Sequence, residues 1–131
     1  ELGYDERSSF SLTVNHRDTY TGITDEDRAL TITELATAAA DPERFDFAGQ
    51  FRSPGHVHLL RGAPELVDDR KGHTELGLAL ADVADLPPAV VVCEMLDDET
   101  GRALSPADAR AYAAEHDLVY VEGREIVEQL G

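Results

Sequence analysis

A short, uninterrupted apolar run at residues 90–93 constrains the fold of this chain more than any other local feature. Its sequence, Val-Val-Val-Cys, lacks the alternation of a strand with one solvated face and matches a strand covered on both sides. A second strand is predicted around Phe10, Leu12 and Val14, whose alternation with polar residues places three apolar side chains on one face. The chain is therefore expected to fold in layers, with helices lying over a sheet.

Helix-start and helix-stop signals separate the predicted strands. Thr24, three residues before Asp27, begins a helix that runs to about Ala40, and Asp41-Pro42 ends it. Ser105-Pro106 begins another helix, with Ser as the cap and Pro at the first helical position. The remaining predicted elements are helices from about Thr74 to Asp85 and from about Arg124 to Gly131, and strands from about Val57 to Leu60 and from Leu118 to Val121.

The order of these elements indicates the fold class. Strands and helices alternate along the chain, which predicts an α/β domain of the layered α+β type, with a mixed, largely buried β-sheet flanked by helices. Residues 1–131 are interpreted as a single domain, because their number fits one. The helical apolar stripes expected to be buried are Ala29, Ile32, Ala36 and Ala39 in the first helix, and Leu76, Ala79, Leu80 and Val83 in the second.

The charge balance excludes some classes of partner. The chain has 27 acidic and 11 basic residues, a formal net charge of −16, and Lys71 is its only lysine. A dispersed acidic surface repels nucleic acid and anionic lipid, because phosphate groups are bound by clustered Lys and Arg. Neither a nucleic acid nor a membrane is therefore expected as a partner. Such a surface favours a halophilic protein adapted to high salt, the alternative being an ordinary soluble acidic protein.

Targeting and membrane segments are not visible in the sequence. No apolar run approaches the roughly 20 residues needed to cross a bilayer, and no signal peptide opens the chain. Cys93 is the only cysteine, which excludes an intrachain disulfide. We therefore expect a cytoplasmic protein.

The segment from Arg52 to His58 is the first that could carry chemistry. Pro54-Gly55 predicts a tight turn that presents His56 at the start of a strand. His56 and His58 are two residues apart, so an extended chain places both imidazoles on one face, a spacing that can serve a metal. The alternative is one surface histidine and one hydrogen-bonded histidine.

The segment at residues 69–75 combines cations, a glycine and a helix start. Arg70 and Lys71 precede Gly72, and the backbone N–H groups of the following helix N-terminus favour an anion. Arg70 can hold a phosphate with its planar guanidinium, and Thr74 can donate a hydroxyl hydrogen bond. A phosphorylated substrate is the functional interpretation, with the histidine of the same turn as a metal ligand or proton-transfer group. The alternative is a helix cap with solvated charges.

Glu94 directly follows the apolar run at residues 90–93. A carboxylate beside a buried strand is desolvated unless it is paired, and a desolvated carboxylate suits general acid or base chemistry. The alternative is a glutamate turned outward at the strand end. Cys93 is interpreted as a small buried core residue rather than a nucleophile, because the sequence places no base or cation beside it.

Several short segments occur here in an order and spacing that resemble one enzyme family. They are Arg52-Ser53-Pro54-Gly55-His56-Val57, Arg70-Lys71-Gly72-His73-Thr74-Glu75, Leu86-Pro87-Pro88-Ala89, Val92-Cys93-Glu94 and, earlier, Thr21-Gly22-Ile23-Thr24 with Asp27-Arg28. Together they resemble 3,4-dihydroxy-2-butanone 4-phosphate synthase of riboflavin biosynthesis. The resemblance runs from about Ser9 to the C-terminus, the C-terminal two-thirds of such a domain. Each segment alone is a weak signal, whereas the ordered set is specific.

This resemblance implies an activity and a set of site residues. The activity is a magnesium-dependent lyase (Mg²⁺ or Mn²⁺) that converts D-ribulose 5-phosphate to L-3,4-dihydroxy-2-butanone 4-phosphate and formate. It further implies a homodimer, because homodimers are typical of the family. The implied site residues are His56 and Glu94 as catalytic residues, His73 as a metal ligand, and Arg70, Lys71, Gly72, His73 and Thr74 as the substrate-binding segment, with Arg70 and Thr74 toward the phosphate.

Two departures from the family's pattern affect these expectations. The family's acidic loop, which supplies a second metal ligand, lies upstream of the position of Ser9 and has no equivalent here, since Asp97-Asp98-Glu99 occupies another part of the chain. The chain is therefore expected to be the C-terminal part of the domain, with the acidic-loop segment absent from it. His58 replaces an apolar or aromatic residue, and it is only a third-choice metal ligand.

Two other classes of function remain open from the sequence. One is an inactive sugar-phosphate-binding module that keeps the phosphate turn and lacks the chemistry. The other is a different metalloenzyme that uses His56, His58, His73 and Glu94 as a site of three imidazoles and one carboxylate.

Overall fold

The computed structural model describes residues 9–130 and arranges them as helices around a small antiparallel sheet. The layered α+β class is thereby confirmed. The elements are β1 (Ser9–His16), α1 (Asp25–Ala40), α2 (Phe47–Gln50), β2 (Phe51–Arg61), a 3-10 turn (Leu66–Asp68), α3 (His73–Val83), α4 (Pro106–Glu115) and α5 (Gly123–Leu130).

The sheet consists of β1 and β2, paired with a break in register that shapes the site. Val14 pairs with Val57, whereas the next residue, Asn15, pairs with Arg52. Residues 53–56 therefore bulge out of β2 opposite the peptide bond between Val14 and Asn15. Gly55 is required in this bulge, because a Cβ there would overlap the backbone of β1.

One part of the core lies where the sheet meets α1 and α2, and the other buried apolar side chains lie on the 3-10 turn, α3, α4 and α5: Val67, Ala79, Ala81, Ala113 and Ile126. Val14 is fully buried, and the Phe51 ring stacks on Phe47 with 4.8 Å between ring centroids. The buried hydroxyl of Thr31 on α1 accepts a hydrogen bond from the His16 backbone N–H at 3.0 Å. This bond fixes α1 against the end of β1 that precedes the site.

The predicted helix starts are confirmed at their caps. Thr24 Oγ1 accepts a hydrogen bond from the Asp27 N–H at 3.2 Å, and α1 ends at Ala40 as the following Asp-Pro pair predicts. Ser105 Oγ accepts from the Asp108 N–H at 3.1 Å at the start of α4. The last helix also forms, and its predicted end at Gly131 lies outside the described residues.

Two predicted strands were wrong. Residues 90–93 and 118–121 form no strand, and the two-stranded antiparallel sheet replaces the expected mixed, largely buried one. Val91 is 68% exposed, and Cys93, predicted to be buried, is exposed as well. A strand needs a neighbour for its backbone hydrogen bonds, and no other segment of residues 9–130 pairs with these two.

Several apolar side chains that the sequence pattern predicted to be buried are also exposed. Phe10 and Leu12 are exposed, and the register shift between Phe10 and Thr13 interrupts the alternation that was expected to place them on one face with Val14. On α3 the buried positions are Thr74, Glu75, Ala79 and Ala81, and the expected stripe residues Leu80 and Val83 are exposed. On α1, Ala29 is exposed and Thr31 is the buried residue. Among the described helices, none is long and apolar enough to cross a membrane.

Candidate functional site

His56 sits in the bulge of β2 and is held by Asn15. The Asn15 Oδ1 atom accepts a hydrogen bond from the His56 backbone N–H at 2.7 Å. The His56 Nδ1 atom lies 3.2 Å from Asn15 Nδ2 and 3.3 Å from Asn15 Oδ1. Asn15 is only 4% exposed, whereas His56 is exposed. A buried amide therefore orients an imidazole whose far side reaches solvent.

The loop at Gly22 closes over the other side of Asn15. Gly22 has a φ of 87°, and a Cβ there would overlap the Asn15 side-chain amide. The Asp27 carboxylate holds this loop by accepting hydrogen bonds from the N–H groups of Gly22 at 2.8 Å, Tyr20 at 3.3 Å and Thr21 at 3.1 Å. These bonds, that from Gly22 above all, lower the pKa of Asp27 below its ordinary value. The structure thus joins the Thr21-Gly22 and Pro54-Gly55-His56 segments through Asn15.

A second cluster forms at the N-terminus of α3. Glu75 is 1% exposed, and its Oε2 atom lies 2.5 Å from Arg70 Nη1 in an ion pair. Its Oε1 atom accepts a hydrogen bond from the Ala63 N–H at 3.1 Å. The guanidinium lies over Gly72, where a Cβ would overlap it. The buried carboxylate therefore fixes the position of Arg70 and ties the loop after β2 to α3.

The other residues of this turn differ in exposure. Lys71 and His73 are exposed, and Thr74 is buried. Gly72 is the N-cap residue of α3. Because glycine has no side chain, it offers no side-chain acceptor to the first N–H groups of the helix. The turn therefore carries one exposed cation, Lys71, and one cation held by a buried carboxylate, Arg70.

Glu94 lies outside both clusters. It is exposed on the extended segment that follows Val90, and Val90 itself contacts α3 close to Gly77. Among the residues that the structure describes, no hydrogen bond or ion pair joins any two of His56, His73 and Glu94. The desolvated carboxylate expected from the sequence is thus not formed by residues 9–130, and the outward-facing alternative describes its position.

The comparison with protein families agrees with the sequence resemblance. A family model described as 3,4-dihydroxy-2-butanone 4-phosphate synthase matches residues 3–129. The chain belongs to this family.

Relatives within the synthase family are close in sequence. The synthase of Methanothermobacter thermautotrophicus is 55% identical over 128 residues, which are 98% of this chain and 56% of that protein. The synthase of Archaeoglobus fulgidus is 53% identical over 131 residues, 98% of this chain and 55% of that protein. The chain therefore spans little more than half the length of these synthases.

Solved synthase structures share the fold. The crystal structure of the Candida albicans synthase superposes with a TM-score of 0.83 at 33% identity, covering 95% of this chain and 61% of that one. A synthase structure in complex with two magnesium ions has a TM-score of 0.73 at 26% identity, covering 98% of this chain and 62% of that one.

The described residues do not form a magnesium site by themselves. Mg²⁺ prefers oxygen ligands in octahedral geometry, whereas His73 offers a nitrogen at the positive end of α3. Between residues 9 and 130, no group of three or more His, Cys, Asp and Glu side chains comes together. The alternative site of His56, His58, His73 and Glu94 is accordingly not assembled, and His58 is exposed on β2 opposite Thr13.

Two residues of the clusters were missed from the sequence. Asn15 stands 41 residues before its partner His56, a separation that no local pattern reveals. Glu75 directly follows the phosphate-turn residues, and a glutamate between a helix start and apolar residues was a usable signal for a buried ion pair. The expected apolar stripe of α3, which consists of Leu76, Ala79, Leu80 and Val83, does not include Glu75, and of its members only Ala79 is buried.

Proposed function

We propose that this chain carries the phosphate-binding turn and one catalytic centre of a 3,4-dihydroxy-2-butanone 4-phosphate synthase. The reaction would convert D-ribulose 5-phosphate to L-3,4-dihydroxy-2-butanone 4-phosphate and formate, with all five carbons recovered in the two products. The single observation that carries the proposal is the pair of prepared clusters, His56 on Asn15 and Arg70 on Glu75, within a chain of this family. Each cluster uses a buried polar side chain to orient an outer one.

The contact between Asn15 and His56 supports a proton-transfer role for His56. When Nδ1 is unprotonated, it can accept from the Asn15 amide, and the Nε2–H group can then donate a hydrogen bond to a substrate oxygen. When Nδ1 is protonated, it can donate to Asn15 Oδ1, and Nε2 is then free to act as a base. One asparagine therefore accommodates both tautomers. A reaction that begins with proton removal beside a ketone and later returns protons needs such a group.

The turn at the start of α3 supports phosphate binding. Helix N–H donors and the fixed guanidinium of Arg70 converge on one turn, and Lys71 adds a flexible charge. Thr74 and His73 complete the segment assigned from the family resemblance. Holding the phosphate there would orient the reacting carbons at a distance from it.

A divalent cation is part of the proposal, with ligands from outside the described residues. The synthase structure that contains two magnesium ions supports Mg²⁺ for the family, and Mn²⁺ stays the alternative. His73 would supply at most one bond, so carboxylates from elsewhere must complete the coordination. Bound there, the cation would polarise the carbonyl and hydroxyl oxygens of the sugar.

Other expectations stay predictions of the family resemblance and composition. They are the homodimer, Glu94 as the second catalytic residue, the cytoplasmic location and the adaptation to high salt. The chain spans 56% and 55% of the length of these two relatives, so the activity of the whole synthase is part of the proposal.

The proposal is tested by measuring formate release from D-ribulose 5-phosphate with Mg²⁺. The assay uses the 131-residue chain and a completed chain, in which the part of the Methanothermobacter synthase that has no counterpart here is joined to it. We expect turnover from the completed chain. Absence of formate from a completed chain that folds and binds the substrate would contradict the lyase proposal.

An inactive binding module is the second candidate, favoured by the position of Glu94 outside both clusters. It predicts that isothermal titration detects D-ribulose 5-phosphate binding while neither chain releases formate. A comparison of the two measurements on the same protein sample separates the two candidates.

A further inference from the structure

The Asn15 side chain is buried between two segments that are far apart in the sequence. On one side it contacts His56 in the bulge of β2, and on the other side it contacts the loop at Gly22. Asn15 is only 4% exposed, and a Cβ at Gly22 would overlap its Nδ2 atom. The loop backbone therefore shields this amide from water, and the amide has to find its hydrogen bonds within the protein.

The backbone of His56 fixes the orientation of the amide. The His56 N–H donates to Asn15 Oδ1 at 2.7 Å, and of the two ends of an amide only the oxygen can accept such a bond. This orientation places the amide nitrogen Nδ2 at 3.2 Å from His56 Nδ1. In the part of the chain that the structure describes, Nδ1 is the one hydrogen-bond partner of this buried nitrogen.

This contact favours one of the two neutral tautomers of His56. A protonated Nδ1 would set two donors against each other and leave the buried Asn15 Nδ2 without an acceptor, whereas an unprotonated Nδ1 accepts its hydrogen bond. The Asn15 Oδ1 atom lies farther from Nδ1, at 3.3 Å, and already accepts the backbone N–H. The favoured tautomer therefore carries its proton on Nε2.

Asp27 holds the loop that covers the amide. Its carboxylate accepts a hydrogen bond from the Gly22 N–H at 2.8 Å and further bonds from the two preceding N–H groups of the loop. Gly22 has a φ of 87°, so the loop has a conformation that few residues adopt and that these three bonds stabilise. Asp27 therefore acts on Asn15 through the loop.

We propose that Asn15 is a positioning residue that holds neutral His56 as its Nε2–H tautomer, and that Asp27 secures this arrangement through the loop. The proposal rests on the proton-transfer role of His56 in the proposed function and defines that role more closely. In this tautomer the outer nitrogen is a donor, so neutral His56 donates a hydrogen bond to a substrate oxygen. The tautomer that acts as a base at Nε2 is the minor form.

Nitrogen NMR of the 131-residue chain tests the tautomer without substrate or metal. At about pH 9.5, about three units above the ordinary pKa of histidine, two-bond ¹⁵N–¹H correlations show which imidazole nitrogen carries the proton. The signals of His56 are those missing from His56→Gln, and the exposed His58 of the same strand is the reference. We expect the ratio of Nε2–H to Nδ1–H forms to be about tenfold higher at His56 than at His58. Equal ratios overturn the proposal.

The variant Asn15→Asp exchanges the nitrogen donor at Nδ1 for an oxygen acceptor of similar shape. It should move the proton to Nδ1, so that the tautomer ratio at His56 falls below that at His58. In the completed chain it should lower kcat about tenfold or more, with a smaller change in KM, because the neutral imidazole no longer presents a donor. An unchanged ratio, or a reversed ratio with unchanged kcat, overturns the positioning role.

The spectra also separate this proposal from the lyase proposal. They are recorded without turnover, so an inactive completed chain contradicts the lyase function alone. The tautomer ratio then still decides the role of Asn15.

Two aspartates in the first turn of α1 test the role of the loop. Asp27→Asn removes the carboxylate that accepts from the loop, whereas Asp25→Asn changes the same residue type two positions away. We expect Asp27→Asn to bring the ratio at His56 within about twofold of that at His58, and Asp25→Asn to leave it unchanged. Equal effects of the two variants overturn the role of Asp27.

Two glycines of positive φ provide a second matched pair. Gly22→Ala places a methyl group against the Asn15 amide, whereas Gly101→Ala, at a φ of 68°, adds a methyl group in open space. Both variants strain the backbone, and only Gly22→Ala should lower the tautomer ratio at His56. A ratio that Gly22→Ala leaves unchanged contradicts the contact between the loop and Asn15. If Gly22→Ala fails to fold, Asp27→Asn decides the role of the loop.

Discussion

The region from residue 13 to 83 and the region from residue 86 to 122 differ in which kinds of side chain are buried and which are exposed. In the first region, polar side chains are buried and paired, as Asn15, Thr31 and Glu75 show. In the second region, apolar side chains such as Val91 and Val119 are exposed. A buried polar group is stable only where its partners are already in place. The first region is therefore held by partners among its own residues, whereas the second region leaves these apolar side chains exposed within residues 9–130.

The largest expected effects are on kcat, and they concern one proposed catalytic residue in each region. In the completed chain, His56→Ser and Glu94→Gln should each lower kcat by about 100-fold or more, because each removes a proposed proton-transfer group. The matched controls are His116→Ser and Glu99→Gln, which change the same residue types at exposed positions of the second region. Formate release and circular dichroism measure activity and folding. Full activity of Glu94→Gln would limit the catalytic role to the first region.

The ion pair of the first region gives the next largest effect. Glu75→Gln should lower the free energy of unfolding by about 3 kcal/mol, because it breaks a buried charge pair and leaves Arg70 without its carboxylate. Urea denaturation of the 131-residue chain measures this change. Asp82→Asn, an exposed acid on the same helix, should change stability by less than about 0.5 kcal/mol. Similar values for both variants would show that burial of Glu75 contributes nothing.

The same substitution of one valine in each region compares how much side-chain packing contributes to stability there. Val14→Ala removes methyl groups from a fully buried side chain and should cost about 2 kcal/mol. Val119→Ala removes the same groups from an exposed side chain and should stay within about 0.5 kcal/mol of the parent. Thermal or urea unfolding gives both values. A large loss for Val119→Ala would mean that the second region is already covered in solution.

The smallest expected effect is a response to acid. Asp27 and Asp97 both have a lowered pKa, Asp27 chiefly through the Gly22 N–H and Asp97 chiefly through the Thr100 hydroxyl. A carboxylate with a lowered pKa adds stability that is complete above its unfolded pKa and is lost as the pH falls through its folded pKa. As the pH falls below about 4, the amide protection factors of residues 20–22, which are corrected for the intrinsic pH dependence of exchange, should therefore decrease.

The variant Asp27→Asn separates the two carboxylates. It should remove the acid response of residues 20–22 and leave the turn at residues 97–100 unchanged, because the Asp97 carboxylate accepts its hydrogen bonds from Glu99 and Thr100. Persistence of the response at residues 20–22 in this variant would exclude Asp27 as its source.

What the sequence predicts correctly is set by short-range contacts. Thr24 and Ser105 cap their helices through atoms three residues away, so a local pattern contains the whole interaction. The strand expected at residues 90–93 depends on a neighbouring strand, and the same apolar residues stay exposed where residues 9–130 offer none.

The residues of the candidate site also fall into two groups, those that a local sequence pattern reveals and those that only the fold reveals. Pro54-Gly55-His56 and Arg70 to Thr74 are visible as motifs because each is contiguous. The buried residues that orient them are visible only in the fold, since Asn15 reaches His56 across the sheet and Glu75 reaches back to Arg70 and Ala63. Motif reading therefore finds the groups proposed to face a ligand and misses the buried residues that hold them.

Burial of the Arg70–Glu75 pair makes its electrostatic attraction insensitive to a high salt concentration. At about 1 M electrolyte the screening length is near 3 Å, so a solvent-exposed pair such as Arg28–Asp25 loses most of its attraction. Dissolved ions cannot enter between Arg70 and a carboxylate that is 2% exposed. Concentrated salt would therefore relieve the mutual repulsion of the acidic coat while the anion-facing turn keeps its shape.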